Sequence, residues 1–131
     1  MRFLRILIAD DHEGFREEVT HYLKMRNGIE IVGKADNGKD AVLQARSLHP
    51  DLILMDISMP VMSGLEAARQ IKESSPEIKV VFVTIHEEGT YQSLAKVLGV
   101  DGFICKTDLK RELPRMIEGF SSALPADAEH S

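Results

Sequence analysis

Residues 51–67 read DLILMDISMPVMSGLEA, and this stretch decides how the rest of the chain is interpreted. It contains a wholly apolar run, Leu52–Met55, that ends on an aspartate. A short run without polar residues is typical of a strand buried on both faces of a parallel sheet. Apolar residues then recur at helical spacing at Leu65, Ala68 and Ile71. The stretch therefore predicts a buried strand, a polar loop and an amphipathic helix.

The same alternation of strand and helix continues along the chain in both directions. The predicted strands are Phe3–Ala9, Ile29–Val32, Leu52–Met55, Ile78–Val83 and Phe103–Cys105. Each is followed by a stretch with helical spacing of apolar residues. Five βα units in succession predict an α/β fold with helices on both faces of a five-stranded parallel sheet, commonly of order 2-1-3-4-5. Pro114 lies inside the last helical stretch, so that helix is predicted to be kinked there or to begin close to it.

Length, composition and charge bound the kind of protein. A chain of 131 residues fits one domain, and we expect residues 1–120 to form it, with 121–131 a flexible tail or the start of a linker. The net charge of −5 argues against a nucleic-acid surface. Cys105 is the single cysteine, which excludes a disulfide framework and a multi-cysteine zinc site. Neither a membrane span nor a signal peptide is recognisable, so we expect a cytoplasmic protein.

Polar residues close four of the five predicted strands: Asp10, Asp11, Asp56, Thr84 and Lys106. In a sheet of order 2-1-3-4-5, ligands bind at the crevice between strands 1 and 3, where the three aspartates would meet. Carboxylates so close repel one another, and a hard divalent cation such as Mg²⁺ relieves the repulsion. An aspartate can also attack phosphorus and form an aspartyl-phosphate, with a lysine and a threonine contacting the phosphoryl oxygens.

Four segments carry a resemblance to a known family: ILIADDH at 6–12, DLILMDISMPVMSGLEA at 51–67, VVFVTIH at 80–86 and DGFICK at 101–106. In this order and spacing they resemble the response-regulator receiver domain of two-component systems, over residues 4 to about 120. The wording of ADDH and TIH is most similar to the NarL/FixJ-like, LuxR-type branch. The resemblance implies a flavodoxin-like, doubly wound fold.

The resemblance also implies a phosphoacceptor and a metal site. Asp56 would accept the phosphoryl group. Mg²⁺, or Mn²⁺, would be bound by Asp11, Asp56 and the backbone carbonyl of Ser58, and Asp10 would act through a metal-bound water. The protein would then be a signalling switch rather than a metabolic enzyme, phosphorylated and dephosphorylated only by its own site.

The remaining implied roles concern the response to phosphorylation. Lys106 would pair with the phosphoryl group, Thr84 would move its hydroxyl toward it, and Phe103 would move inward with Thr84. The changed surface would be the face of helix 4, strand 5 and helix 5. The implied partners are a sensor histidine kinase or a histidine phosphotransfer protein and a downstream protein, with no nucleic acid or membrane bound by this chain. It would be a monomer or a phosphorylation-dependent dimer.

Simpler interpretations and departures from the family pattern stand beside these roles. Asp11 could be only the N-cap of the first helix. His12 and His86 lie just beyond strands on the same edge, where imidazole could bind a transition metal. Ile85 is bulkier than the residue common after the threonine and could restrict access to the phosphoryl group. Thr107 replaces the proline that often follows the lysine, and it or the next residue could cap the last helix.

The function retains alternatives from other classes. The chain ends at Ser131, so it would be either a stand-alone receiver, which we favour, or the excised receiver of a LuxR/NarL-type DNA-binding regulator. A small phosphohydrolase with an aspartate nucleophile usually needs a second aspartate two residues later, where this chain has Ser58. A flavin carrier would need an uncharged phosphate loop after strand 1, and a pseudo-receiver would only bind partners.

Overall fold

The computed structural model describes residues 2–85 and 89–124, in which strands and helices alternate. The elements are β1 (Leu4–Ala9), α1 (Glu13–Lys24), β2 (Ile29–Ala35), α2 (Gly38–Leu48), β3 (Leu52–Met55), α3 (Gly64–Ser74), β4 (Lys79–Thr84), α4 (Gly89–Leu98), β5 (Gly102–Cys105), a 3₁₀ turn (Lys106–Asp108) and α5 (Leu109–Ser122). In these ranges, none of the helices is both long and apolar enough to cross a membrane.

The five strands form a parallel sheet of order β2-β1-β3-β4-β5, which confirms the predicted fold class. The chain order reverses on either side of β1 and β3, so these neighbouring strands flank the crevice in which ligands bind in such sheets. All five carboxyl ends lie at one edge because the strands are parallel. The predicted site residues are therefore brought to the same edge.

Two apolar layers cover the sheet, and the strands alternate between them. Ile53 and Met55 of β3 pack into a cluster with residues of α2, α3 and α4. Leu52 and Leu54 pack on the opposite face with residues of α1 and α5. All four side chains are at most 3% exposed, which explains why the run carries no polar residue on either face.

β2 is longer than predicted, because it continues through Ala35 rather than stopping at Val32. Gly33 and Lys34 have the composition of a turn, but their backbones pair with Leu7 and Ile8 of β1. Backbone pairing does not require an apolar side chain, so composition alone misplaced this strand end. The register shifts between Ile6 and Leu7, where β2 contains one unmatched residue, Val32.

α5 begins at Leu109, five residues before Pro114, and continues through it. Pro114 is the sixth residue of the helix and so lies beyond the first turn, whose N–H groups have no partner within the helix. It therefore removes the hydrogen bond that an N–H at this position would donate to the carbonyl of Lys110. Asp108 occupies the N-cap position, but its side chain makes no capping hydrogen bond. It pairs instead with Arg111, 3.1 Å away.

Candidate functional site

The backbone fixes two of the aspartates at the sheet edge. Asp10 N donates to Ala35 O at 3.0 Å, and Asp56 N donates to Ala9 O at 2.8 Å. Each bond extends the ladder of parallel strands by one residue beyond β1 and β3. The two side chains therefore emerge side by side from the neighbouring strand ends.

The start of α3 closes tightly over the end of β3. Gly64 N donates to Ile57 O at 2.7 Å. A Cβ atom at Gly64 would overlap the carbonyl oxygen of Asp56. Ser63 caps the helix by accepting from Glu66 N at 3.2 Å. The loop after Asp56 is thus held by backbone packing that only glycine permits.

Four potential ligand side chains converge in the crevice between β1 and β3. Asp10 and Asp56 are buried, at 2% and 6% exposure, whereas Asp11 and His12 are exposed. One ligand atom from each of these four residues lies within 4.8 Å of the others. The sheet edge therefore gathers three carboxylates in one place, as predicted from the strand ends.

Lys106 supplies the positive charge that faces these carboxylates. Its Nζ lies 2.7 Å from Asp10 Oδ2 and 3.9 Å from Asp56 Oδ2, and its side chain is 12% exposed. Asp10 Oδ2 is buried and receives no hydrogen bond of ordinary geometry, so the lysine contact is an ion pair rather than a directed bond. Asp10 Oδ1 accepts instead from His12 N at 2.8 Å.

The electrostatics of the crevice show in the pKa of Asp56. Burial, and next the neighbouring Asp10 carboxylate, raise this pKa from 3.8 to about 6, while the Lys106 ammonium lowers it. One lysine is thus too little to offset burial and the repulsion among the carboxylates.

The donor set suits a hard divalent cation. The buried Asp10 Oδ2 accepts no hydrogen bond of ordinary geometry besides its ion pair with Lys106, and the side-chain oxygens of the three aspartates are the ligands that Mg²⁺ prefers. Ser58, whose backbone carbonyl completes the predicted ligand set, lies in the exposed loop two residues after Asp56. These residues fit a metal ion, and their individual assignments as ligands stay predictions.

Thr84 and Phe103 flank the site on β4 and β5. Thr84 ends β4, is 1% exposed and pairs in register with Cys105, the neighbour of Lys106. Phe103 is partly buried and packs against the core beneath α2, α3 and α4. Thr84 therefore lies at the carboxyl edge next to the strand that leads to Lys106, and Phe103 lies on the face of β5 that packs with α4. The switching role of both residues stays a prediction.

Two simpler interpretations can now be compared with the structure. The N-cap of α1 is His12, without a side-chain capping bond, so Asp11 is not the cap. His12 Nδ1 lies 3.2 Å from Asp11 Oδ1 and 3.3 Å from Asp10 Oδ1. His86 lies outside the described residues. Ile85 is 70% exposed at the end of β4.

Sequence reasoning missed two contributors on the first turns of α1. Arg16 Nη1 donates to the backbone carbonyl of Asp10 at 2.6 Å. The ring of Phe15 lies under Lys106, with Nζ 4.2 Å from its centroid. In the sequence, Phe15 shows only as one of the apolar residues that recur at helical spacing with Val19, Tyr22 and Leu23. Its position within one helical turn of the Asp10–Asp11 pair was the available signal.

Comparisons with known proteins agree with this geometry. A family model described as the response regulator receiver domain matches residues 6–118. The chain is similar to response regulator GacA of Pseudomonas viridiflava, at 41% identity over 79% of this chain and 48% of that protein. It is also similar to response regulator protein VraR of Staphylococcus epidermidis, at 44% identity over 79% of this chain and 50% of that protein. The chain thus spans about half the length of these relatives.

A solved structure shows the same fold. The signal receiver domain of the response regulator NarL from Mycobacterium tuberculosis superposes with a TM-score of 0.87 at 27% identity. The match covers 95% of this chain and 100% of the NarL chain. The similarity therefore extends over the whole sheet and its helices.

Proposed function

Because the chain belongs to the response regulator receiver domain family, we propose that it is a phosphoacceptor switch with Asp56 as the acceptor. The observation that carries this proposal is the crevice itself. Asp56 is buried beside Asp10, and Lys106 stands 3.9 Å from its carboxylate. A carboxylate so placed has a nucleophilic oxygen and, within reach, a cation for the oxygens of an incoming phosphoryl group.

The proposed reaction is phosphoryl transfer from a phosphohistidine to Asp56. An Asp56 carboxylate oxygen attacks the phosphorus of a phosphohistidine on a sensor kinase or phosphotransfer protein. The new oxygen–phosphorus bond forms as the nitrogen–phosphorus bond breaks, and the departing imidazole nitrogen takes up a proton. With a pKa of about 6, Asp56 is mostly ionised at neutral pH and is therefore competent as the nucleophile.

The chain's other residues hold the transferred group. Lys106 already lies between the Asp10 and Asp56 carboxylates. A small movement of its ammonium group would therefore bring it to a phosphoryl oxygen on Asp56. Thr84, at the end of β4, provides a hydroxyl that can donate to the same group. The site performs this chemistry on itself, so the domain acts as a switch and not as a metabolic enzyme.

Asp10, Asp11, Asp56 and the carbonyl of Ser58 form the proposed metal site. The carboxylates fit Mg²⁺ or Mn²⁺ by their chemistry and closeness. When bound, the ion supplies positive charge that offsets the repulsion between the carboxylates and the phosphoryl group.

The proposed output surface is the face of α4, β5 and α5. Val97 is 82% exposed and Leu94 is 37% exposed on α4. Next to them a groove of about 270 Å³ is lined by Phe103, Val100 and Lys96, among others. A shift of Thr84 toward the phosphoryl group would be transmitted to Phe103 on the neighbouring strand and change this groove. A downstream protein, or a second copy of the chain, would bind there.

The half-length match to GacA and VraR favours a second context for the same switch. Those proteins are about twice as long as the matched part. The chain would then be the receiver of a longer LuxR/NarL-type regulator, with its output in another domain. The chemistry at Asp56 is the same in either context.

The proposal is tested by incubating the protein with Mg²⁺ and acetyl phosphate and measuring its intact mass. We expect a gain of one phosphoryl group that requires Mg²⁺ and is absent from Asp56→Asn. Asp36→Asn is the matched control, because Asp36 is an exposed aspartate outside the crevice. A gain that persists in Asp56→Asn, or no gain in a folded wild-type protein, would contradict the proposal.

A further inference from the structure

Phe15 connects the hydrophobic core with the charged site. It lies on the first turn of α1, and Lys106 Nζ stands over its ring, 4.2 Å from the centroid. This distance is typical of a cation–π interaction. The same ring packs against the apolar cluster beneath α1 and α5. It also lines, with Asp10 and Asp56, a cavity of about 10 Å³.

The position of Lys106 needs such a support. Its side chain is a flexible four-carbon chain with a strongly hydrated ammonium group. Asp10 attracts this group at 2.7 Å, whereas Asp56 lies 3.9 Å away. Asp10 Oδ2 does not hold it by a directed hydrogen bond. An aromatic face attracts the cation without adding another negative charge, and it keeps water away from that side.

We propose that Phe15 is a positioning residue, whose ring holds the Lys106 ammonium within reach of the phosphoryl group carried by Asp56. The inference rests on the proposed phosphoacceptor function. Phe15 contacts none of the reacting atoms, so it acts only through Lys106. Phe15 would thus be a part of the site, on the first turn of α1, that binds neither the metal ion nor the phosphoryl group.

Paired variants separate this role from simple packing. Phe15→Tyr keeps the aromatic face, whereas Phe15→Leu keeps an apolar side chain and loses that face. Phe15→Met is a second variant without a ring, for use if the leucine variant is unfolded. Urea unfolding establishes that each variant is folded before it is compared.

The first measurement does not depend on phosphorylation. A ring that faces Lys106 shifts the NMR signals of its ε-methylene protons upfield. We expect this shift in the metal-free wild-type protein and in Phe15→Tyr, and its loss in Phe15→Leu. Identical Lys106 shifts in the wild-type protein and Phe15→Leu would overturn the contact.

The second measurement is the rate of phosphorylation by acetyl phosphate with Mg²⁺. We expect Phe15→Leu to react about tenfold more slowly than the wild-type protein, and Phe15→Tyr to stay within about threefold. If the wild-type protein is phosphorylated and both variants are phosphorylated at the same rate, the positioning role is wrong. A wild-type protein that accepts no phosphoryl group would instead overturn the proposed function, and the NMR shifts would still decide whether Phe15 holds Lys106.

Discussion

The two edges of the sheet use aspartates in opposite ways. At the amino edge, Asp101 Oδ2 accepts from Val80 N at 2.9 Å and from Lys72 Nζ at 3.0 Å. Asp51 is held similarly, since its oxygens accept from Arg5 N at 2.9 Å and from the Arg2 guanidinium at 2.8 Å. Each of these carboxylates joins a strand to a neighbouring segment.

At the carboxyl edge, carboxylates face one another. Asp10 and Asp56 are buried and share the charge of Lys106. The pKa of Asp56 is raised to about 6, because burial and Asp10 outweigh the lysine. We therefore expect the charges of the acidic crevice to lower the free energy of unfolding and the aspartates of the amino edge to raise it. A site that stores repulsion responds strongly when a cation or a phosphoryl group changes its charge.

The largest expected effect tests how rigidly the carboxyl edge is built. Gly64→Ala should lower the free energy of unfolding by about 3 kcal/mol, since the new Cβ would overlap the Asp56 carbonyl oxygen. Gly119→Ala is the control, because a Cβ there meets nothing within 4 Å. On α5 it should raise that free energy by about 0.5–1 kcal/mol. Urea unfolding measures both, and equal stabilities would show that the loop after Asp56 is soft.

The next effect tests whether the amino edge is stabilised by its aspartates. Asp101→Ala should lower the free energy of unfolding by about 2 kcal/mol, because Val80 N loses its acceptor and Lys72 loses its counter-ion. Asp101→Asn keeps an oxygen acceptor and should cost about 1 kcal/mol. If neither change alters stability in thermal or urea unfolding, Asp101 does not stabilise the amino edge.

At the carboxyl edge, we expect the removal of a charged aspartate to raise the free energy of unfolding. Asp56→Asn should raise the free energy of unfolding by about 1–2 kcal/mol at pH 7 without metal, since it removes a buried charge near Asp10. The folded pKa lies above the ordinary value, so the native state binds more protons between pH 3.8 and about 6. Wild-type stability therefore falls, relative to the variant, as pH rises through that window.

Urea unfolding in EDTA at several pH values measures this difference. The advantage of Asp56→Asn should be small near pH 4 and fully developed above about pH 6. Asp36→Asn, outside the crevice, should show no such dependence. An advantage that is constant across the window would mean that Asp56 has an ordinary pKa in the folded protein.

Some features of the two edges could be predicted from the sequence, and others could not. Buried strands are visible as apolar runs, and parallel strands bring their ends to one edge, so the fold and the meeting of Asp10, Asp11 and Asp56 were predictable. The end of β2 was not, because backbone pairing continues through Gly33 and Lys34. The contacts made by long side chains could not be predicted either, because the spacing of residues along the chain does not define the directions of their side chains.

Val61, at the carboxyl edge, offers the smallest test and concerns backbone strain rather than charge. Met62 N donates to Pro60 O at 2.7 Å, which closes a tight turn around Val61. This places Val61 at a φ of 68°, a conformation unfavourable for a β-branched residue. Asparagine tolerates positive φ better, so Val61→Asn should raise the free energy of unfolding by about 0.5–1 kcal/mol.

A second exposed valine provides the control for this change. Val61 and Val97 are 79% and 82% exposed, so neither substitution removes a buried side chain. Val97 lies on α4, where valine and asparagine have similar helix propensity, and Val97→Asn should change stability by less than about 0.3 kcal/mol. If the two variants have equal urea midpoints, the turn after Asp56 stores no strain. The carboxyl edge would then differ from the amino edge in its charges and in its packing at Gly64, and not in backbone strain at Val61.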